Sequence, residues 1–377
     1  GLEEIKGKAF SGCKSLTTIK LPKTIQKIGK GVFEKCTSLK VFVIPGVLAV
    51  FPNGEEVPKG FNDQITIQKF KISAKCFNKC KEFQNVIITN ICHLIDESSF
   101  NGCAKLEKVT YFVPNASKIG VYAFSDCPQL KHAIFNVNNG SSLEISDFSF
   151  MSCKELSDVE FNHQELFAPN ALVIDSNVFH GCEKLKKFIC PPNCSKEIGE
   201  SCFEGCKSLE VVSLPNGITT IGKNMFKDCE QLATINLDET IATIDVSAFE
   251  NCAKLQIENL PLNLVKIGNN AFAKCTSLDI KEFPPKLEEI GEGAFEGCVK
   301  LVDITFPESM KIIQKKAFEN CTELVKITIY SKSINILKKA FFQCSSLKKI
   351  FADNKSGISS EAFGDCAKGL DFFSLEN

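Results

Sequence analysis

A short pattern recurs along the whole chain and limits the folds that are open to it. Phe is followed by Cys three residues later, and usually by Leu three residues after that. An Ile lies five residues before every Phe of the pattern, and most intervals between successive Phe are 23 residues. Self-similarity at a fixed period of this length is typical of a solenoid, in which each unit stacks on the next. The pattern begins fifteen times, at Phe10, Phe33, Phe77, Phe100, Phe124, Phe150, Phe179, Phe203, Phe226, Phe249, Phe272, Phe295, Phe318, Phe341 and Phe363.

One unit shows how its residues are organised. Residues 16–36 read LTTIKLPKTIQKIGKGVFEKC. The opening Leu-x-x-Ile-x-Leu has the pattern of a short strand, which Pro22 ends because proline lacks the N–H needed for ladder pairing. Gly29 favours a tight turn, and the stretch from there to Cys36 has room for a helical turn or two. A strand, a turn and a short helix cannot bury a core alone, so the core must come from stacking.

The complete pattern, C-x-x-L-x-x-I-x-L-P-x-x-I-x-x-I-G-x-x-A-F, resembles the BspA-like leucine-rich repeats. The resemblance covers nearly the whole chain. It implies an α/β repeat solenoid, a right-handed curved array with a parallel β-sheet on the concave face and short helices or turns on the convex face. It also implies a role in adhesion, because members of this family are generally described as adhesins or surface antigens that bind host proteins or other cells.

The spacing of the repeats predicts the domain organisation. We expect a single leucine-rich-repeat solenoid over residues 1–377, with about 15–16 repeats. The repeats are irregular over 1–178, with a degenerate repeat at 40–70, and regular over 179–377. Insertions in a solenoid go to its surface and often line a binding face. Neither end has an evident polar cap, which repeat arrays need, so we expect the natural chain to be longer.

Composition excludes several classes of function. The net charge is −1 and the sequence has no arginine, which argues against a nucleic-acid partner. Three Tyr and no Trp leave few of the residues that usually anchor tight protein interfaces. The longest apolar run, Val41–Phe51, is too short to span a membrane and is broken by Pro45 and Gly46.

The cysteines predict structure rather than chemistry. Fifteen of the 20 Cys occupy one repeat position, and we expect buried thiols, because pairing equivalent positions in twos would break the even stacking. Cys190 and Cys194 lie near His180 but lack metal-site spacing and a fourth ligand, so we expect no metal and no cofactor. We also expect no enzyme, since no His lies in a nucleophile motif. A cleft with His163 or His180 against a carboxylate would reopen that question.

Two groups of residues are the candidate binding residues. In the Leu-x-x-Ile-x-Leu strands, alternation turns the x positions outward onto the concave face. Charges mix on this face with few aromatic residues, which favours many modest contacts over one tight site. The candidates on the concave face are Lys131, His132, Asp158 and Glu160, and those in the inserted segments are Asn138, Asn139, His163 and Glu165.

Two functions remain open at this point. Family resemblance alone favours a non-enzymatic protein-interaction module, on the cell surface or secreted, whose partners are host extracellular or cell-surface proteins. The alternative is an intracellular, cytoplasmic scaffold or structural component of a larger assembly, such as a cytoskeletal one, which binds its assembly partners. Many free thiols and the lack of a visible export signal favour this alternative.

Overall fold

The computed structural model describes residues 1–55, 69–163, 167–192, 194–366 and 369–375. The chain divides into two compact units, Gly1–Cys206 (unit 1) and Lys207–Asn377 (unit 2). Each unit is a parallel β-solenoid whose short strands are joined by turns. Continuity of one solenoid over 1–377, its handedness and its curvature stay predictions.

Unit 1 contains two main sheets. The first sheet has the strand order β13-β11-β9-β7-β5-β4-β2, and the second has the order β16-β14-β12-β10-β8-β6, with β1 and β3 forming a separate pair. The strands of this unit are β1 (Glu4–Ile5), β2 (Thr18–Lys20), β3 (Lys27–Ile28), β4 (Val41–Ile44), β5 (Leu48–Phe51), β6 (Phe70–Ile72), β7 (Asn85–Ile88), β8 (Cys92–Ile95), β9 (Lys108–Val113), β10 (Ser117–Ile119), β11 (His132–Val137), β12 (Ser141–Ile145), β13 (Asp158–Asn162), β14 (Phe167–Ile174), β15 (Lys187–Ile189) and β16 (Cys194–Ile198).

Unit 2 has shorter strands in the same arrangement. Strands β17 and β19 pair with each other, and β23-β25-β27-β28 form a four-stranded sheet. Another sheet of this unit has the order β18-β20-β21-β22-β24-β26. The strands of this unit are β17 (Val211–Ser213), β18 (Thr220–Ile221), β19 (Thr234–Ile235), β20 (Thr243–Ile244), β21 (Lys266–Ile267), β22 (Glu289–Ile290), β23 (Asp303–Phe306), β24 (Ile312–Ile313), β25 (Lys326–Ile329), β26 (Asn335–Ile336), β27 (Lys349–Ala352) and β28 (Asp371–Phe373).

The repeated Phe residues form a ladder through each core. Rings of successive repeats stack with centroids 5.0–5.8 Å apart and planes within 21° of parallel. This is the offset stacking that aromatic rings prefer. The repeated Ile ends each second-sheet strand and pairs in register with the same Ile of the next repeat, as Ile267 does with Ile290. Residues at equal intervals in the sequence, such as the repeated Phe and Ile, are therefore also evenly spaced along each solenoid.

The segment around each ladder Phe is built of turns, so the predicted short helices are wrong. In the repeat of Phe249, the backbone is left-handed two residues before it and two residues after it, with φ of 53° at Ser247 and 63° at Asn251. A right-handed helix cannot continue through such residues. The N–H groups of Ser247, Phe249 and Asn251 donate to the next repeat, while those between them close turns within the repeat.

The repeated cysteines form a second ladder, of hydrogen bonds. Thirteen of these thiols in the described part of the chain donate to the carbonyl oxygen of the ladder Phe in the preceding repeat, at 3.1–3.4 Å. The Phe249 carbonyl, for example, accepts from the Cys252 N–H and from the Cys275 thiol. Burial raises the pKa of thiols such as Cys298, so they stay protonated donors at neutral pH.

The degenerate repeat at 40–70 adds a strand without adding a ladder ring. Strands β4 and β5 form an antiparallel hairpin around Gly46, whose φ is 67°. Strand β5 then pairs antiparallel with β7, inside an otherwise parallel sheet. On the ladder side, Phe33 stacks directly on Phe77 at 5.7 Å. The loop that we predicted between Phe51 and Phe61 lies partly outside the described residues.

Truncation of a ladder ring tests the core. Phe272 is fully buried between Phe249 and Phe295. We expect Phe272→Ala to lower the free energy of unfolding of the chain by ~3–5 kcal/mol, measured by urea denaturation, because it leaves a cavity that the stacked neighbours cannot fill. Exposed Glu258→Ala is the matched control and should change it by less than about 0.5 kcal/mol. An equally small effect of Phe272→Ala would contradict the ladder.

Thiol labelling tests the cysteine ladder. Eighteen of the 20 cysteines are buried, Cys366 is partly buried and Cys13, in the first repeat, is exposed. We expect one fast thiol, Cys13, in the native chain and all twenty after denaturation. Cys366 should react more slowly, because burial raises its pKa to about 12. Maleimide labelling followed by mass spectrometry gives the count, and rapid native labelling of mid-array thiols would show that the ladder is open.

Candidate interaction surface

The first sheet of unit 1 presents its widest outward face on strands β9, β11 and β13. These strands have five or six residues, whereas those of unit 2 have two to four. Parallel pairing in register aligns their outward side chains into rows across the strands. We call this surface the sheet face, and its three rows are Lys108, His132 and Asp158; Thr110, Ile134 and Glu160; and Phe112, Asn136 and Asn162.

Two polar contacts lie on or next to the sheet face. Nδ1 of His132 lies 2.9 Å from Oδ2 of Asp158, and the Ser157 hydroxyl donates to the same oxygen at 2.6 Å. Nζ of Lys131 lies 3.0 Å from Oε2 of Glu107. The predicted residues His132 and Asp158 are thus in direct contact, while Lys131 pairs across to the preceding repeat. Pairing leaves this region without a strong net charge.

An exposed ring lies at the carboxyl end of the sheet face. Phe112, in the last row, is 40% exposed. Half-buried Ile134 lies in the adjacent row on the next strand. Phe112 and Ile134 are the two apolar residues of the sheet face, whose other seven residues are polar, and aromatic side chains such as Phe are enriched in protein interfaces.

The inserted-segment residues lie at the same end of these strands. Asn138 and Asn139 form the turn between β11 and β12, and His163 follows β13 with a left-handed φ of 58°. The amide of Asn162 donates to Oδ1 of Asn136 at 3.0 Å, which keeps the two strand ends adjacent. Glu165 lies outside the described residues.

The candidate residues therefore form two groups. The first group lies at the start of strands β11 and β13 or one row further along them, and it consists of Lys131, His132, Asp158 and Glu160. The second group, Asn138, Asn139 and His163, lies beyond the other end of these strands, between ~10 Å (Glu160 to His163) and ~23 Å (Lys131 to Asn138) away at ~3.3 Å per residue. A partner must extend over this length to touch both groups.

A cleft that the sequence did not indicate adjoins the second group. It has a volume of about 440 Å³, and its lining includes Asn138, Asn115 and His93. His93 lies at an irregularity of β8, where Phe70 pairs with Cys92 and Lys71 pairs with Leu94. Its Nδ1 is buried and has no hydrogen-bond partner in the described part of the chain. Such a bulge re-aims a side chain and has no signature in a single sequence.

A metal or catalytic site requires clustered ligands, or a base and a nucleophile that meet in a cleft. Within the described ranges, no group of three or more His, Cys, Asp or Glu side chains could hold a metal ion. Nδ1 of His180 lies 3.8 Å from Oε2 of Glu204, but neither residue lines a described cleft. A hydrogen bond with Cys194, together with burial, raises the pKa of the Cys190 thiol. Among the residues that are described, none forms a helix that could cross a bilayer.

Comparison with known proteins agrees with this architecture. A leucine-rich repeat protein from Bacteroides ovatus is 27% identical over 87% of this chain and 82% of that chain, with a TM-score of 0.65. The pneumococcal vaccine antigen PcpA is 18% identical over 97% of this chain and 84% of that chain, with a TM-score of 0.53, which shows the fold alone. No curated protein matches.

The family model that matches describes a BspA type leucine rich repeat region. Its matches cover residues 1–54, 70–171, 162–279 and 254–369. Together these matches span most of the chain, and they include every described strand of unit 1. The chain belongs to the BspA type leucine-rich repeat family.

Proposed function

We propose that this chain is a non-enzymatic protein-interaction module that works at a cell surface or in secreted form, and that it binds other proteins through unit 1. The observation that supports this most is the sheet face, where exposed Phe112 and half-buried Ile134 lie among polar side chains and two rows separate Phe112 from the His132–Asp158 contact. Leucine-rich repeats bury their repeated residues and leave the variable ones for contact. Unit 1 has the longer strands and therefore the larger surface for a partner.

The contacts on this face favour specificity over high affinity. The Asp158 carboxylate already contacts Nδ1 of His132 and accepts the Ser157 hydroxyl, so a partner gains little from that carboxylate alone. A partner with complementary charges can still recognise the charged side chains of this face, because such charges set the partner's orientation on the surface and its rate of association. Phe112 supplies the apolar contact that holds the partner. Several such modules on one surface would add their weak contacts by avidity.

The geometry around His132 favours binding over catalysis. Ser157, Asp158 and His132 lie together, but both the hydroxyl and the imidazole meet the Asp158 carboxylate. A nucleophilic serine needs the imidazole itself as acceptor of its proton. Here the hydroxyl instead donates to the carboxylate, so it is not activated.

Location is inferred from the family, whose members are generally described as surface antigens or adhesins. The intracellular scaffold remains the alternative function, and one observation favours it. All 20 cysteines are free thiols, which is usual in a reducing compartment. Burial of eighteen of them makes them slow to oxidise in either compartment.

Labelling of intact cells separates the two locations. We expect an impermeant biotin reagent to label the chain on whole cells of its source organism, because lysines such as Lys281 and Lys332 are exposed. Pull-down with an antibody to the chain gives the measurement, and an abundant cytosolic protein is the control. Labelling only after permeabilisation would rule out the surface location and leave the scaffold.

Binding to cultured epithelial cells tests the sheet face. We expect the double variant Phe112→Ser and Asp158→Lys to bind about tenfold more weakly than the unchanged chain, the change that ~1.4 kcal/mol of lost contact produces. Exposed Tyr330 and Asp303 have the same chemistry in unit 2, so Tyr330→Ser with Asp303→Lys is the matched control and should bind normally. Flow cytometry of fluorescent protein measures both. Equal losses in the two variants would refute a binding face on unit 1.

A further inference from the structure

Two aromatic residues occupy a turn position that elsewhere holds small or polar residues. This position, two residues before the ladder Phe, has a left-handed backbone in fourteen repeats. Tyr122 and Phe148 hold it in two successive repeats. The other twelve residues at this position are Lys8, Gly31, Lys75, Ser98, Asn177, Ser201, Asn224, Ser247, Asn270, Gly293, Lys316 and Lys339.

The fold has no need of these two rings. A left-handed backbone is unfavourable for bulky side chains, yet φ is 57° at Tyr122 and 58° at Phe148. Ser98 and Asn177, in the repeats on either side, form the same turn. Residues kept in unfavourable backbone regions cluster at functional sites.

The two rings form an exposed stack. Their centroids are 5.0 Å apart and their planes differ by 13°. Tyr122 is 38% exposed and Phe148 is half-buried. The Tyr122 N–H donates to the Asp147 carbonyl and the Phe148 N–H to the Ser176 carbonyl, both at 3.2 Å, so the backbone holds the stack in place.

An acidic cleft begins beside the stack. Asp147, the chain neighbour of Phe148, lines a cleft of about 600 Å³ together with Asp175, Glu197 and Glu200. The described lining of this cleft includes four carboxylates and no lysine. In the described part of the chain these carboxylates have no ion-pair partner, whereas surface carboxylates elsewhere commonly pair with a lysine of a neighbouring repeat.

The cleft favours a positive ligand. Burial, and then the negative charges of Glu144 and Asp147, raise the pKa of the Asp175 carboxyl, and the positive charge of Lys118 offsets only part of this rise. The Ser176 N–H donates to Oδ1 of Asp147 at 2.9 Å, which fixes that carboxylate at the mouth of the cleft. A cation placed here would gain from several carboxylates at once.

We propose that the Tyr122–Phe148 stack and the adjoining acidic cleft bind a lysine or arginine side chain of an extended segment of a partner protein. A cation is attracted to the face of an aromatic ring, and its N–H groups bond strongly to carboxylates. The two parts of the site therefore select the same chemical group. This inference rests on the proposed function as a protein-interaction module, and it names the partner's chemistry.

The natural repeats supply the test variant. Asn holds the same left-handed position at 177, 224 and 270, so Tyr122→Asn with Phe148→Asn keeps the turn. We expect the urea midpoint of this double variant to be unchanged or higher, because the unfavourable backbone is relieved. Asn224→Ser, at the same position of unit 2, is the control for a harmless change.

Fluorine NMR of the full chain reads out the site directly. The sequence has three Tyr, so incorporation of 3-fluorotyrosine gives three signals. Tyr111 is buried and Tyr330, in unit 2, is 48% exposed, so these two are internal controls. The probe is a blocked Gly-Ser-Lys-Ser-Lys-Ser-Gly peptide, and the control peptide has norleucine at both lysine positions.

We expect the lysine peptide to shift the Tyr122 signal saturably, with a dissociation constant of about 1 mM or lower, and to leave that of Tyr330 unchanged. The shift should weaken between about 0.1 M and about 1 M salt, as the Debye length falls from ~10 Å to ~3 Å. Asp147→Asn with Asp175→Asn should abolish it. No saturable shift, or the same shift with the norleucine peptide, would overturn the proposal.

Failure of this site is distinguishable from failure of the proposed function. The Phe112→Ser and Asp158→Lys variant tests the interaction module, and the Tyr122→Asn and Phe148→Asn variant tests the stack. If cell binding is lost in the first and intact in the second, the interaction module stands and the stack is not a partner site. A saturable peptide shift in a chain that cell labelling places inside the cell would support the basic ligand and remove only the surface location.

Discussion

The contact between neighbouring repeats at the ladder Phe is the interaction on which the rest of the structure depends. The ring stacks on the ring of the next repeat, while the carbonyl of the same residue accepts that repeat's cysteine thiol. One residue thus supplies both the apolar contact and the acceptor that sets the register. A lone repeat has neither, so the fold exists only as a stack, and stability is a sum over neighbours.

The ladder also explains how far the fold could be predicted from the sequence. Period, burial and parallel stacking follow from the spacing of Phe, Cys and Ile, because these residues need equivalent surroundings. The predicted helix failed because spacing does not show the sign of φ, and left-handed residues such as Ser247 and Asn251 stop a helix on both sides of Phe249. Lys, Ser and Asn at these positions look like ordinary surface residues.

The candidate site was predictable only where a strict alternation applies. Outward positions on a strand follow from its period, and register then brings His132 against Asp158. Irregular backbone has no such rule, so the buried Nδ1 of His93 at its bulge had no signal in the sequence. Tyr122 and Phe148 occupy the same repeat position in the sequence, but only the structure shows that the backbone at this position disfavours them.

Unit 1 tolerates such irregularity because the Phe ladder continues past it, even at hairpin β4–β5, whose buried Phe42 packs against Phe33 and Phe77. Hairpin β4–β5, the bulge at His93 and the Tyr122–Phe148 stack all lie outside the Phe ladder, which continues past each of them. In a globular core a comparable distortion would disturb many packed neighbours at once. In a stack, each repeat is held by the intact rings on either side of it. Because repetition fixes the interior, the surface residues of a single repeat can change without unfolding the stack. They can therefore acquire binding chemistry even at positions where the left-handed backbone disfavours the new side chain.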